Sequence, residues 1–207
     1  RTWYLGKSHY AHLDDFQGSM KEVAFFNGEM EVRSKTITLS IPNEITFGTD
    51  GAVSGITSRT VVPSKPLDGG AFSFSAWVKC SNLQSTNVRI FDLGTAAANN
   101  NIVFMFLGQT RILRYVVLHS NTEVGDIRTT ELFDNNQWVL VQLIHRADTT
   151  ASIYWDGVEK TAGSVPLPLF AATGRDWYLG KSHWGEDGFE GSMKEVTFFN
   201  GEANFQT

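Results

Sequence analysis

The sequence predicts an all-β chain: two antiparallel sheets packed as a jelly-roll sandwich. Three observations carry that expectation. Fifteen Phe, 6 Trp and 5 Tyr stand with 19 Gly and only 5 Pro in 207 residues. Aromatic side chains favour strands, and glycine between short apolar runs marks turns. Strand-like runs separated by turn signals recur about every ten residues along most of the chain. No useful window shows apolar residues at a 3.6-residue period between caps, so helices should be short or absent.

The expected strands are 36–41 (TITLSI), 44–47, 59–62, 71–79 (AFSFSAWVK), 87–93, 101–107, 111–119, 129–133, 137–145, 150–155, 157–161, 176–181 and 191–199. Asp68-Gly-Gly70, Asn99-Asn-Asn101, Asp134-Asn-Asn136 and Asp156-Gly157 supply turns between them. Asp156-Gly157 lies between SIYW and VEKT, the strongest short hairpin signal in the chain. In 137–145, Trp138, Leu140 and Ile144 point one way and Val139, Val141 and Leu143 the other. Both faces of such a strand must be covered, one by the opposing sheet and the other by loops or a neighbour. About a dozen strands of this kind fit a sandwich or jelly roll.

Composition excludes several functions. Hydrophobic content of 42% and charged content of 19% belong to a folded chain. The net charge of −5 argues against a nucleic-acid partner, which would call for a basic surface. No stretch approaches 18 uncharged apolar residues, so membrane insertion is not expected. Cys80 is the sole cysteine, which leaves no internal disulfide and no multi-cysteine zinc site. His119 and His145 stand at strand ends and are expected at the rim.

The chain carries an internal repeat at its two ends. Trp3-Tyr-Leu-Gly-Lys-Ser-His9 recurs as Trp177 to His183. Gly18-Ser-Met-Lys-Glu-Val23 recurs as Gly191 to Val196, and Phe25-Phe-Asn-Gly-Glu29 as Phe198 to Glu202. One residue is inserted in the loop around Ala11 to Asp15. The spacing of about 174 residues has the size of a domain rather than of a solenoid repeat. Residues 1–30 therefore read as a terminal β-hairpin of a preceding identical repeat, and 31–207 as one full domain. Neighbouring copies of the same repeat become expected partners.

Four segments resemble laminin-G-like, concanavalin A-like jelly rolls, in that family's order. They are Phe72-Ser-Phe-Ser-Ala-Trp-Val-Lys79, Gln137-Trp-Val-Leu-Val141, Ile153-Tyr-Trp-Asp-Gly157, and Trp177-Tyr-Leu-Gly-Lys181 followed by Phe189-Glu-Gly-Ser-Met-Lys-Glu-Val-Thr-Phe-Phe-Asn200. The resemblance implies two antiparallel sheets, one of them concave. It also implies an extracellular or cell-surface setting and binding of glycan or glycoprotein, often with calcium. Two departures stand out. The Asp of the closing motif is replaced by Lys194, and by Lys21 in the first copy. The calcium-site Asp that the laminin pattern places at the start of 101–107 is replaced by Asn101.

No Gly-x-Ser-x-Gly, His-Glu-x-x-His, phosphate loop or EF-hand occurs. The two-carboxylate strand of jelly-roll glycosidases is missing as well, and Glu186-Asp-Gly-Phe-Glu190, the nearest string, reads as a loop. The sequence therefore points away from an enzyme, with a polysaccharide hydrolase as the remote alternative. The loop His183-Trp184-Gly-Glu-Asp-Gly-Phe189 offers an indole face for a sugar, and Glu186 and Asp187 for hydroxyls or a hard cation. Asn99 and Asn100 can donate to and accept from sugar hydroxyls. Ligand-binding candidates are thus His183, Trp184, Asn99 and Asn100. Metal candidates are Glu186, Asp187 and Asn101, with calcium as the cofactor left open. Two functions are carried forward. One is a recognition or adhesion module of an extracellular tandem-repeat protein, where repeated weak sites gain avidity. The other is a building block of a surface filament or coat, joined by strand contacts between repeats.

Overall fold

The computed structural model describes residues 36–41, 44–47, 53–54, 70–81, 83, 87–94, 97, 100–167, 176–184 and 188–205. These lie within a compact unit spanning Ser34–Thr207. The expected hairpin of residues 1–30 and the expected strand 59–62 lie outside the described residues.

Thirteen strands follow one another: β1 (Thr36–Ile41), β2 (Ile45–Phe47), β3 (Val53–Ser54), β4 (Phe72–Cys80), β5 (Val88–Gly94), β6 (Ile102–Leu107), β7 (Ile112–His119), β8 (Thr122–Arg128), β9 (Val139–His145), β10 (Thr150–Trp155), β11 (Val158–Ser164), β12 (Asp176–Leu179) and β13 (Gly191–Asn200). The one helical element among the described residues is a 3-10 turn at Gly108–Thr110. The strands form two antiparallel sheets. An eight-stranded sheet runs β11-β10-β9-β4-β13-β2-β3, with β1 also pairing β13, and a five-stranded sheet runs β12-β5-β6-β7-β8. The all-β jelly-roll expectation holds.

Strand alternation builds the core. On β4, Phe72, Phe74, Ala76, Val78 and Cys80 turn inward and are fully buried. On β9, Val139, Val141 and Leu143 do the same, and the other apolar set of that strand faces outward, as its pattern predicts. Phe74 and Phe198 of the large sheet meet Phe91 and Phe104 of the small one. Their ring centres are 4.9 Å (Phe74–Phe91 and Phe74–Phe198) and 5.9 Å (Phe74–Phe104) apart. Register shifts of the β-bulge kind interrupt five of the strand pairings, and two of them shape the faces described below. One, between Arg89 and Phe91, turns both Ile90 and Phe91 into the core and leaves Arg89 and Asp92 outside. The other, between Lys194 and Thr197, keeps Met193 and Val196 inside.

Two hairpins use turns whose central residues both have positive φ, which suits the right-handed twist of the flanking strands. Asp156-Gly157 (φ 49° and 78°) joins β10 to β11 where the sequence predicts it. Ser120-Asn121 (φ 47° and 67°) joins β7 to β8. Strand β8 corrects the expected strand 129–133. The paired residues are Thr122–Arg128, while Thr129 and Phe133 hold irregular chain to Leu113 of β7 and to Arg111 just before it. Polar β8 escapes an apolar-pattern reading because it is an edge strand, with Glu123 and Asp126 bound by Arg114 of β7.

His145 is a second correction. It is fully buried rather than at the rim. Its Nε2 lies 2.8 Å from the Val165 carbonyl, which can only accept, so Nε2 carries the proton. Nδ1 then accepts from the Tyr115 hydroxyl at 2.7 Å. Burial holds the imidazole below its usual pKa and pushes the Tyr115 phenol well above its own. The unfolded chain binds a proton at His145 near the ordinary value of about 6.5, where the folded chain does not. Stability should therefore fall as pH drops below about 6.5 and level off beneath the folded-state pKa. Denaturant unfolding from pH 7.5 to 5 should give a slope approaching about 1.4 kcal/mol per pH unit from this site. The difference curve against His145→Gln isolates it. A parallel pH profile in the variant would contradict the assignment.

Candidate functional site

Two outward-facing places bring polar and aromatic groups together. The first lies on the eight-stranded sheet. Alternation along β4 puts Ser73, Ser75, Trp77 and Lys79 on the face opposite Phe72, Phe74, Ala76 and Val78. Register adds Leu140 and Lys194 beside Trp77, and Gln142 and Thr197 beside Ser75. Trp77 and Trp138 are half-buried. The Lys194 ammonium stands 4.6 Å from the Trp138 ring centre and 5.8 Å from that of Trp77, and Lys79 is 5.9 Å from Trp138. The β13 bulge keeps Lys194 outward, over the two indoles. Gln142 is 6% exposed, and its Oε1 has no hydrogen-bond partner. Such a buried acceptor is costly unless something else donates to it.

The far end of this face is closed by the chain's own tail. The Ser73 hydroxyl donates to the Gly201 carbonyl (2.9 Å) and accepts from the Ala203 amide (2.8 Å). The Phe205 ring packs edge-on to Tyr154 at 6.2 Å. Arg146 donates to the Ser152 hydroxyl at 2.8 Å. Ile144 is covered there, whereas the Trp77–Trp138 end stays half-exposed.

The second place is on the outside of the five-stranded sheet. The β5 register shift exposes Asp92 to the loop after β12, which covers it completely. Asn101 Nδ2 donates to Asp92 Oδ1 (2.7 Å), and the His183 amide donates to Oδ2 (3.0 Å). His183 Nδ1 lies 3.0 Å from Oδ1, and Arg89 Nε 3.9 Å from Oδ2. Tyr178 stacks on the His183 ring at 4.3 Å. Trp184 lies over the Arg89 guanidinium (5.3 Å) and packs on Val103, Met105, Val116 and Leu118. His183 Nε2 and Asn101 Oδ1 are buried without a partner.

Of the residues expected from sequence, His183, Trp184 and Asn101 meet around Asp92. Asn100 lies beside them in the chain, and its Oδ1 accepts from the Ser120 amide at 3.3 Å. Asn99, Glu186 and Asp187 lie outside the described residues. Asp92, Arg89, Trp77, Trp138 and Gln142 were not singled out. Asp92 sits inside an apolar run and gives no signal. Trp77 does give one: a Trp in the phase of Ser73, Ser75 and Lys79 cannot be a core residue. Calcium takes six to eight oxygen ligands. The described part of the rim offers one carboxylate already engaged by donors, with Asn101 turning its amide nitrogen to it. Among the described residues no group of three or more His, Cys, Asp or Glu could hold a metal ion.

The two antiparallel sheets packed on a shared aromatic core define a jelly-roll sandwich. A laminin-G-type family model matches residues 50–205, and the chain belongs to the concanavalin A-like lectin/glucanases superfamily. Among solved structures, the CBM40 module of the Ruminococcus gnavus IT-sialidase, bound to alpha2,3 sialyllactose, is similar. Its TM-score is 0.63 at 11% identity, over 81% of this chain and 94% of that one. A Bacteroides ovatus protein assigned to carbohydrate binding gives 0.55 at 19% identity over 81% of this chain, which spans 46% of that protein's length. The heptameric SAP-like pentraxin of Limulus polyphemus gives 0.53 at 13% identity, over 78% and 77% of the two chains. These likenesses concern the fold. No curated protein sequence matches this one significantly. Among the described residues no helix is long and apolar enough to cross a membrane.

Proposed function

We propose that this protein is a non-catalytic recognition module that binds glycan, free or on glycoproteins, through the Trp77–Trp138 face of its eight-stranded sheet. The observation that carries the reading is the pair of half-buried indoles on the sheet face that also carries Gln142, whose Oε1 is a buried acceptor without a partner. Indole faces take the apolar face of a sugar ring, and Gln142 accepts from a hydroxyl. Lys79 and Lys194 bring two positive charges to that face of a chain whose net charge is −5, which favours acidic sugars. The CBM40 neighbour bound to sialyllactose agrees with that class. The reading places the module outside the cell, in a protein where neighbouring copies multiply weak sites. The absence of catalytic signatures in the sequence supports a binding role.

The rim around Asp92 is the second reading, favoured by the buried, unpartnered His183 Nε2 and Asn101 Oδ1. A glycan array with the intact chain tests the proposal, with Trp138→Ala alongside. Removing one stacked indole should cost about 1.4 kcal/mol or more, a tenfold loss of affinity. Lys194→Gln should weaken binding most at low salt, since exposed charges are screened at high ionic strength. Full retention of glycan binding by Trp138→Ala would count against this face.

A further inference from the structure

We infer that Phe205 is a specificity-determining residue of the eight-stranded sheet's outer face. It walls off the Trp77–Trp138 end, so that the site takes the terminal residues of an acidic glycan and excludes a glycan chain that runs on across the face. The inference rests on the recognition reading and deepens it, by naming which part of a glycan enters.

The wall stands in the middle of the face. The Phe205 ring lies 6.2 Å from that of Tyr154 and 6.5 Å from that of Phe199. Tyr154 belongs to β10 and Phe199 to β13, three strand spacings or about 14 Å apart across β9 and β4. A ring that reaches both therefore sits over the strands between them. Along β4 the outward positions run Trp77, Ser75, Ser73, and the first and last of these are about 13 Å apart. The stretch after β13 is pinned at the Ser73 end. Its Gly201 carbonyl and Ala203 amide both bond the Ser73 hydroxyl, and the Glu202 carboxylate accepts from the Ala147 amide at 3.3 Å. Ser73, Ser152 and Tyr154 point away from the core and are still at most 3% exposed. Held at several points, this stretch is a fixed wall rather than a lid.

The floor at the walled end is built like the open end. Tyr154 offers an aromatic ring and Arg146 a guanidinium, which donates to the Ser152 hydroxyl at 2.8 Å and to the Tyr154 hydroxyl at 3.4 Å. The Tyr154 hydroxyl donates in turn to Glu159 at 2.9 Å. Arg146 is thus a further cation on the face that carries Lys79 and Lys194. A glycan chain continuing from the indoles would lay a later ring against Tyr154 and bring an acid group to Arg146. Phe205 already occupies that ring's place. Glu202 adds a negative charge at Ala147, next to Arg146 in the chain, which disfavours an acidic group there.

Titration of the full chain with sialyllactose and with oligosialic acids of increasing length tests this, each variant first checked for cooperative unfolding. In the parent, the terminal residues should set the affinity, which should stay flat with length. Phe205→Ala should leave sialyllactose binding unchanged and raise affinity for the longer oligomers about tenfold, the worth of one added hydrogen bond to a charged group. Phe205→Trp keeps the wall and should keep the parent's profile. Adding Arg146→Gln to Phe205→Ala should remove the gain and spare sialyllactose. A parent affinity that climbs with length overturns the wall whatever the variants do. So does a flat profile in Phe205→Ala. In both cases the recognition reading stands as long as Trp77→Ala/Trp138→Ala abolishes binding. If that double variant binds every oligomer as the parent does, or the parent binds none, the recognition reading falls and this inference with it.

Discussion

Replacing Phe74 by alanine is expected to destabilise the protein by about 3–5 kcal/mol, the range for truncating a buried aromatic side chain. Phe74 is fully buried on β4 and touches both sheets: Phe198 on its own, Phe91 and Phe104 on the other. Its three neighbours are themselves anchored. Phe91 lies 5.7 Å from Phe104 and 5.3 Å from Phe198, so they cannot collapse into the void without opening those contacts. The loss therefore includes the transfer free energy, the edge-to-face contacts and an unrelaxed cavity. At about 2–4 °C per kcal/mol for a chain of this size, the melting temperature should drop by roughly 6–20 °C. Phe74→Leu keeps most of the volume and should cost less than half as much. A Phe74→Ala protein within 1 kcal/mol of the parent would mean that the two sheets do not share this core.

Asp92→Ala is expected to cost about 3–5 kcal/mol as well, by a different route. The carboxylate is fully buried and collects Asn101 Nδ2, the His183 amide and His183 Nδ1, with Arg89 behind. Removing it takes a shared acceptor from these buried donors and a carboxylate from beside the Arg89 charge, the costly half of a broken buried network. Asp92→Asn retains one oxygen acceptor and should lose less. Because Trp184 packs on Arg89 and the Val103–Leu118 patch, its fluorescence should shift to the red in Asp92→Ala. An unchanged spectrum and a loss below 1 kcal/mol would show that Asp92 does not hold this loop.

The fold was largely legible because its signals are local. Alternation places Phe72 to Val78 without help from the rest of the chain, and Asp156-Gly157 names its own turn. Strand β8 was not legible. Its sequence Thr-Glu-Val-Gly-Asp-Ile-Arg is stabilised by Arg114 on the neighbouring strand, and an edge strand needs no apolar stripe. His145 was misplaced for a related reason: only pairing reveals that Tyr115 and the Val165 carbonyl satisfy both its nitrogens. At the rim, His183, Trp184 and Asn101 could be picked out by type. Asp92, which gathers them, is 91 positions from His183 in the chain and looks like part of an apolar strand. The tryptophan face is the instructive case. Its signal was present in the phase of Trp77, but Trp138, Lys194 and Gln142 join it only through β9 and β13 register and a bulge.

Isothermal titration with one glycan bound by the intact chain, comparing the parent, Trp77→Ala/Trp138→Ala and Trp184→Ala, tests the central claim most directly. Each variant is first checked by thermal unfolding. The account predicts that the double variant loses binding beyond detection while Trp184→Ala, if folded, stays within about threefold of the parent, under 1 kcal/mol. Unchanged affinity in the double variant, with binding lost in a folded Trp184→Ala, would contradict it and move recognition to the rim around Asp92.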